Sequence, residues 1–228
     1  MKKPLLFVLI MLSNYTAFSQ MSGNYNYSLG LRGYTIMQMP KILDESDSYT
    51  LVNSPFNGAM VKFNDNQISY RIQGTYYNRA KEFYNNCESC EFAAGRVIDY
   101  TFKIGFEKNF NYSRVQPYFG FDIGYRSNEF DGNLENRNEI SSKAMQQTKV
   151  EATKTGFMLS PVIGFKINPI DQVSFFAEGT LDFFYSYERQ ERILQDADNT
   201  RLLSKFNKTE YLLNPISIGI QIHLGHNK

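Results

Sequence analysis

The chain has 228 residues, a formal net charge of +1, 42% hydrophobic residues and a mean hydropathy of −0.41. That balance excludes a bundle of transmembrane helices and a polycationic nucleic-acid binder. The distinctive quantity is 15% aromatic residues, from 19 Phe and 16 Tyr with no Trp, beside 15 Gly and only 7 Pro; such richness in strand formers argues for an all-β chain rather than a disordered one.

The N-terminus carries Lys2 and Lys3, an apolar stretch from Leu5 to Leu12, polar residues to Thr16, and then Ala17-Phe18-Ser19. Positive charge, a short greasy run and small residues at the two positions a signal peptidase reads predict a signal peptide over residues 1–19, cleaved before Gln20. The apolar stretch is too short to cross a bilayer core of ~30 Å as a helix. No cysteine lies near the cleavage point, so lipoprotein processing is not indicated. Losing Lys2 and Lys3 takes the formal charge from +1 to −1 and leaves residues 20–228 as one domain.

Beyond that point apolar residues recur with period two, the mark of strands with two unlike faces. The first strand runs about Asn24 to Gln38, with Tyr25, Tyr27, Leu29 and Leu31 opposing Asn26, Ser28, Gly30 and Arg32. A shorter second lies near Asn57 to Asn64, and a third from Gln67 to Asn78 sets Ile68, Tyr70 and Ile72 against Ser69, Arg71 and Gln73. The fourth, Ile98 to Phe106, is the clearest, with apolar side chains at every even position and Asp99, Thr101, Lys103, Gly105 and Glu107 between and beyond them. The fifth (Gln116 to Arg126), sixth (Gly156 to Ile167) and seventh (Val173 to Tyr187) repeat the pattern, and Ile216 to Leu224 supplies the eighth.

The connections alternate between short and long. Asn64-Asp65-Asn66, Asn109 to Ser113 and Asn168-Pro169-Ile170-Asp171 are tight turns by composition. Met39 to Phe56, Arg79 to Val97, Ser127 to Thr155 and Glu188 to Glu210 are long, polar loops. Short turns at one end and long loops at the other predict an eight-stranded antiparallel up-and-down transmembrane β-barrel.

The polar face decides between lipid and water outside. It carries Arg32, Lys62, Arg71, Lys103 and Lys166 against Glu107, Asp122, Glu178 and Asp182, interspersed with Gly30, Gly105, Gly120, Gly124, Gly164 and Gly219. In a narrow lumen the glycines leave room for long side chains, and opposite charges pair where a lone one would cost several kcal/mol. The nine charged residues are therefore expected to form a polar network filling the barrel. Tyr25, Tyr27, Tyr76, Tyr125, Tyr185 and Tyr187 fall toward strand ends, where an interfacial belt would sit.

Pro55-Phe56-Asn57-Gly58 before Val61-Lys62-Phe63, Gly105-Phe106-Glu107-Lys108, Pro117 to Asp122, and Asn214-Pro215-Ile216-Ser217 opening the last strand resemble small outer-membrane β-barrel proteins of the Bacteroidetes type. The chain is also similar in plan to the transmembrane domain of outer-membrane protein A. The resemblance spans the mature chain and implies fold and outer-membrane location, with no defined activity. Two features depart from the pattern. No room for a peptidoglycan-binding domain follows the last strand, and the chain ends His226-Asn227-Lys228 rather than on the aromatic of an assembly signal.

Other chemistry is sparse. Cys87 and Cys90 are the only cysteines and lie in a long loop; a local disulfide is the expected state in an exported chain, and a metal site would need two more ligands. The only histidines, His223 and His226, sit toward the inward end of the last strand, away from the outer rim where a barrel acyltransferase or deacylase would need a serine and histidine. Glu178 and Asp182, four apart on one face, could mimic an acid/base pair but read more simply as ion-pair partners of Arg71 and Lys103. Glu188 to Arg192 and Lys205 to Lys208, with leucines between, form a solvated loop or a partner-binding surface.

The expectation is a non-enzymatic integral outer-membrane protein without cofactor, metal or nucleic-acid partner. It contacts outer-membrane lipid, is assembled by the insertion machinery, and acts structurally or adhesively through its outward loops, with a place in an envelope complex. A narrow small-solute channel and a soluble periplasmic ligand-binding barrel are the alternatives.

Overall fold

A strand with one apolar and one polar row must give each row a different environment, and a sheet closed on itself supplies two. In the computed structural model eight strands do this: β1 (Tyr25–Gln38), β2 (Leu51–Asp65), β3 (Ile68–Tyr84), β4 (Glu91–Asn109), β5 (Val115–Asn136), β6 (Thr148–Ile170), β7 (Val173–Leu194) and β8 (Arg201–His226). Each pairs antiparallel with its sequence neighbours, and β8 pairs with β1, closing the barrel and leaving no free edge. The structure describes residues 25–43, 45, 51–65, 67–84, 91–136, 148–194 and 200–226. The signal peptide and both Cys87 and Cys90 lie outside the described residues.

The apolar row faces out. Phe102 is 54% exposed and Ile163 71%, whereas Lys62, Arg71 and Asp122 on the alternate row are buried. Nothing charged interrupts the outer row between Tyr100 and Phe106, or between Phe157 and Ile167. An apolar surface continuous around the ring is far larger than a soluble protein leaves in water. The soluble reading, with aromatic side chains lining a pocket, is set aside by this orientation.

The strands are longer than alternation alone predicts. Three of the four expected loops are largely sheet: the β3–β4 ladder continues to Tyr84 and Phe92, β5–β6 to Leu134 and Thr148, and β7–β8 to Ile193 and Arg201. The reason is an inversion of pattern without a change of parity. On β5 the inward row runs Asp122, Gly124, Arg126, Asn128 and then turns apolar at Phe130 and Leu134, while the outward row runs Phe121, Ile123, Tyr125 and then turns polar at Glu129 and Asp131. Likewise β4 goes from Lys103, Thr101 and Asp99 to Val97 and Ala93 on its inner row. Where lipid gives way to water outside, the apolar residues move inside.

That upper interior is a hydrophobic cluster. Val97, Phe130, Leu134, Val150, Ala152 and Phe83 pack with Met37, and with Met39, Ile42 and Leu43 from the β1–β2 connection, which folds inward. Leu43 adopts φ of 53°, a left-handed conformation that costs a non-glycine residue about 1–3 kcal/mol and persists where surrounding packing imposes it.

The strand register shifts at three places in the wall: at Arg32/Tyr34 of β1 against both β2 and β8, at Glu178/Thr180 between β7 and β8, and at Ile167/Ile170 beside the β6–β7 turn. The first two lie mid-wall as β-bulges. The segments Pro55 to Gly58 and Asn214 to Ser217, expected to open strands, instead sit within β2 and β8 at these bulges. A proline has no N–H to give the ladder, and a bulge is where its absence is tolerated. The first bulge turns Asn57 inward, where its Oδ1 accepts from Thr35 Oγ1 at 2.9 Å.

Candidate functional site

Arg71 on β3 and Lys62 on β2 are cross-strand partners in the register, a pairing of like charges that is unfavourable unless carboxylates intervene. They do. Lys62 Nζ lies 2.6 Å from Glu107. Arg71 grips Asp122 with two nitrogens, Nε to Oδ1 at 2.7 Å and Nη2 to Oδ2 at 2.5 Å. Its remaining nitrogen, Nη1, reaches Glu178 at 2.9 Å and Glu107 at 3.5 Å. Lys166 completes Glu107 at 2.8 Å, and Arg32 completes Glu178 at 2.5 Å.

Neutral groups fill the remaining positions. Tyr118 Oη donates to Glu178 at 3.0 Å and Gln73 Nε2 donates to Asp122 at 2.6 Å. The Tyr118 ring centroid lies 5.5 and 5.1 Å from the ammonium groups of Lys62 and Lys166, within cation–π range. Glycine makes the space. A Cβ on Gly105 would strike the Asp122 carboxylate and the Phe121 carbonyl, and one on Gly164 would meet the Tyr118 ring at 2.6 Å.

A second tier lies above. Lys103 bonds Asp182 at 2.8 Å and Ser160 at 2.9 Å, and Asn214 Nδ2 donates to Asp182 at 2.9 Å. Arg126 and Asn128 both donate to Asp99, each at 2.8 Å. Between the tiers is a cavity of about 30 Å³ bordered by Arg32, Glu178, Lys103, Asp182, Asp99 and Arg126, enough for a water molecule or two but for no larger solute.

All nine lumen residues named from the sequence point inward and form ion pairs. Lys103 and Asp182 pair with each other above, and the other seven join in the lower cluster around Arg71. Sequence reasoning misses a third tier, in segments that it reads as loops. Lys154 bridges Glu188 at 3.1 Å and Glu210 at 2.8 Å, and donates to the Lys41 carbonyl at 2.6 Å. Glu210 also accepts from the Lys41 N–H at 3.0 Å, and Lys81 holds Glu45 at 2.6 Å. These contacts tether the inward connection over the lumen. The available signal for Lys154 is parity, since it continues the even inward row of β6. Phe176 and Phe184 are also inward residues that alternation does not single out. On the solvated side of the projecting sheet, the hydrogen bond from Lys149 at 2.7 Å holds the Glu151 carboxyl below its usual range.

At the opposite mouth His223 lies between two serines, with Ser28 Oγ 2.8 Å from Nδ1 and Ser174 Oγ 2.5 Å from Nε2. Ser174 donates onward to Asn168, and Tyr25 stacks on the imidazole. Both serines are buried, so this is a packed hydrogen-bond chain. No group of metal-ligating side chains occurs among the described residues. Glu178 and Asp182 are each committed to different cations, Glu178 to Arg32 and Arg71 and Asp182 to Lys103.

An eight-stranded antiparallel ring, greasy outside and ion-paired within, is a transmembrane β-barrel of the outer-membrane class, and the protein is placed in the bacterial outer membrane. No family model and no curated protein sequence matches the chain. Among solved structures it is similar to Neisserial surface protein A, at 12% identity and a TM-score of 0.47 over 87% of this chain and 97% of that one. It is also similar to a major outer membrane protein from Thermus thermophilus, at 9% identity and a TM-score of 0.48 over 88% and 100% of the two chains. The P. putida toluene transporter TodX gives 10% identity and a TM-score of 0.37 over 91% and 68%. Superpositions this loose decide nothing by themselves, and the assignment rests on the chain's own two faces.

Proposed function

We propose that this protein is a non-enzymatic, non-conducting barrel whose work is structural or adhesive, performed by the sheets and loops that project from the outer surface, as an accessory part of an envelope complex. The single observation that supports this is the doubly closed lumen: the ion-paired tiers fill it below, and the Met39–Leu43 segment packs into the apolar cluster above. A barrel so filled is a rigid body with segments projecting from one end, the arrangement in which loops on a scaffold carry recognition.

We further propose that it belongs with the small Bacteroidetes-type barrels on the plan of the outer-membrane protein A transmembrane domain, and that it is exported through cleavage before Gln20. The insertion machinery then assembles it, and Cys87 and Cys90 form a disulfide at the outward end of the β3–β4 hairpin. N-terminal sequencing of the mature protein and thiol alkylation with and without reductant test the export and disulfide points.

The central test combines planar-bilayer recording with gentle extraction. Electrical silence together with a stoichiometric envelope protein that copurifies supports the reading. Steady conductance abolished by Asp122→Ala overturns it in favour of a narrow channel, and a barrel that extracts alone overturns the interaction role.

A further inference from the structure

We infer that the barrel wall holds a binding site for one acyl chain of a membrane phospholipid, in a crevice on its lipid face where β6, β7 and β8 meet. Three residues open it. Pro161 on β6 lacks an N–H, and the β6–β7 ladder passes from Leu159–Phe183 to Val162–Thr180 without pairing Ser160 or Pro161. Gly179 on β7 presents no side chain to the outside. Pro215 on β8 sits in the bulge opposite it, where Glu178–Ser217 gives way to Thr180–Asn214.

The result is a crevice of about 370 Å³ with mainly apolar walls, including Ile163, Leu181 and Leu213. A wall sealed by ordinary ladder bonding and side chains would have no such depression. It opens onto the continuous apolar band that contacts lipid, so the molecules at its mouth are acyl chains. Pro161 lies nine residues from the inner end of β6 at Ile170, and Gly179 six from the start of β7 at Val173. Since 9–11 tilted residues cross the bilayer and the lipid-facing row of β6 runs from Phe157 to Ile167, the crevice sits near the middle of the membrane.

The crevice also marks a thin part of the wall. Thr180 and Asn214 line both it and the internal polar cavity, and Asn214 Nδ2 donates to Thr180 Oγ1 at 2.9 Å. An acyl chain seated outside this pair covers a place where the same two residues border both the lipid face and the charged lumen. This inference concerns the wall and stands apart from whatever the projecting loops bind.

The experiment uses the full mature chain in phosphatidylcholine vesicles doped with a phosphatidylcholine bearing a diazirine on one acyl chain. After photolysis, labelled positions are mapped by peptide mass spectrometry. Adducts concentrated at Ile163, Leu181 and Leu213, over Phe102 and Ile104 on β4, are expected. They should be lost in Leu213→Trp, which fills the crevice, and in Pro161→Val, which restores an N–H to the ladder, but kept in Phe102→Trp. Heat-modifiable migration confirms that each variant is folded, and either crevice variant suffices. Labelling spread evenly around the barrel, or unchanged in a folded crevice variant, overturns the site. Labelling there by a diazirine fatty acid but not by the phospholipid overturns the assignment of its occupant.

Discussion

Removing the central guanidinium distinguishes a lumen held by specific pairs from one that merely balances charge. The lower cluster sets Arg32, Lys62, Arg71 and Lys166 against Glu107, Asp122 and Glu178, four cations against three carboxylates. By net charge alone, Arg71→Met should be harmless, because it leaves three of each. The contacts predict otherwise. Glu107 keeps Lys62 and Lys166, and Glu178 keeps Arg32 and the Tyr118 hydroxyl. Asp122 loses both charged bonds and retains the Gln73 amide. One buried carboxylate is orphaned, and breaking a buried pair from one side costs about 3–5 kcal/mol, a fall of roughly 10²–10⁴ in the folded-to-unfolded ratio.

The assay is reversible urea unfolding in lipid vesicles, followed by far-UV circular dichroism and by heat-modifiable migration on gels. Arg71→Met should lower stability by that amount. Adding Asp122→Asn should recover more than half, because the neutral amide no longer needs a cation and still accepts from Gln73. A double-mutant cycle isolates the coupling. Stability within about 1 kcal/mol of wild type for Arg71→Met, or no recovery in the double variant, would refute the reasoning and leave net charge as the governing quantity.

Phe102 and Leu203 are similarly exposed, at 54% and 50%, yet one meets lipid and the other lies on the projecting β8 segment. Phe102→Lys should cost about 2–4 kcal/mol in the same unfolding assay, whereas Leu203→Lys should stay within about 0.5 kcal/mol; equal effects would contradict the placement of the membrane. Gly105→Ala should destabilise by about 1–3 kcal/mol through collision with Asp122 and the Phe121 carbonyl, and a neutral result would show that the lumen has slack. Phe130 is 2% exposed and meets Phe83 edge-on at 5.5 Å. Phe130→Ala should cost about 3–5 kcal/mol and speed hydrogen exchange at Met39, Ile42 and Leu43, and unchanged exchange there would detach the inward connection from the cluster.

Strand number, up-and-down order and the direction of each face were legible because period two holds over most of each strand where lipid bounds the barrel, shifting parity at the bulges. The pairing of charges was only partly so. Glu178 with Arg71 and Asp182 with Lys103 followed from matching sign along the polar row. The reach of Lys166 to Glu107, across β4 to β6, depends on how far closure staggers the strands, and alternation carries no record of that. Tyr118 falls on the polar row beside glycines, and its part in bonding Glu178 required knowing that Gly164 stands opposite it.

The strand ends were illegible for a different reason. A search for apolar residues on one parity stops where that parity turns polar, and on that criterion β5 ends at Arg126. Yet the row did not end; its surroundings changed. Below, acyl chains satisfy the outer row, so burial gives the interior little to gain by being apolar, and ion pairs with matched hydrogen bonds hold it together. Above, water lies outside, and the same parity that held Asp122 and Arg126 delivers Phe130 and Leu134 to a conventional core. The crossing on β6 falls between Phe157, outward and exposed, and Thr153 and Glu151 on the same row. A barrel that needed to conduct would gain from a hydrated upper lumen. Here the inverted rows create an apolar interior against which Met39, Ile42 and Leu43 pack, so the same physics that extends the strands beyond the membrane also draws that connection inward.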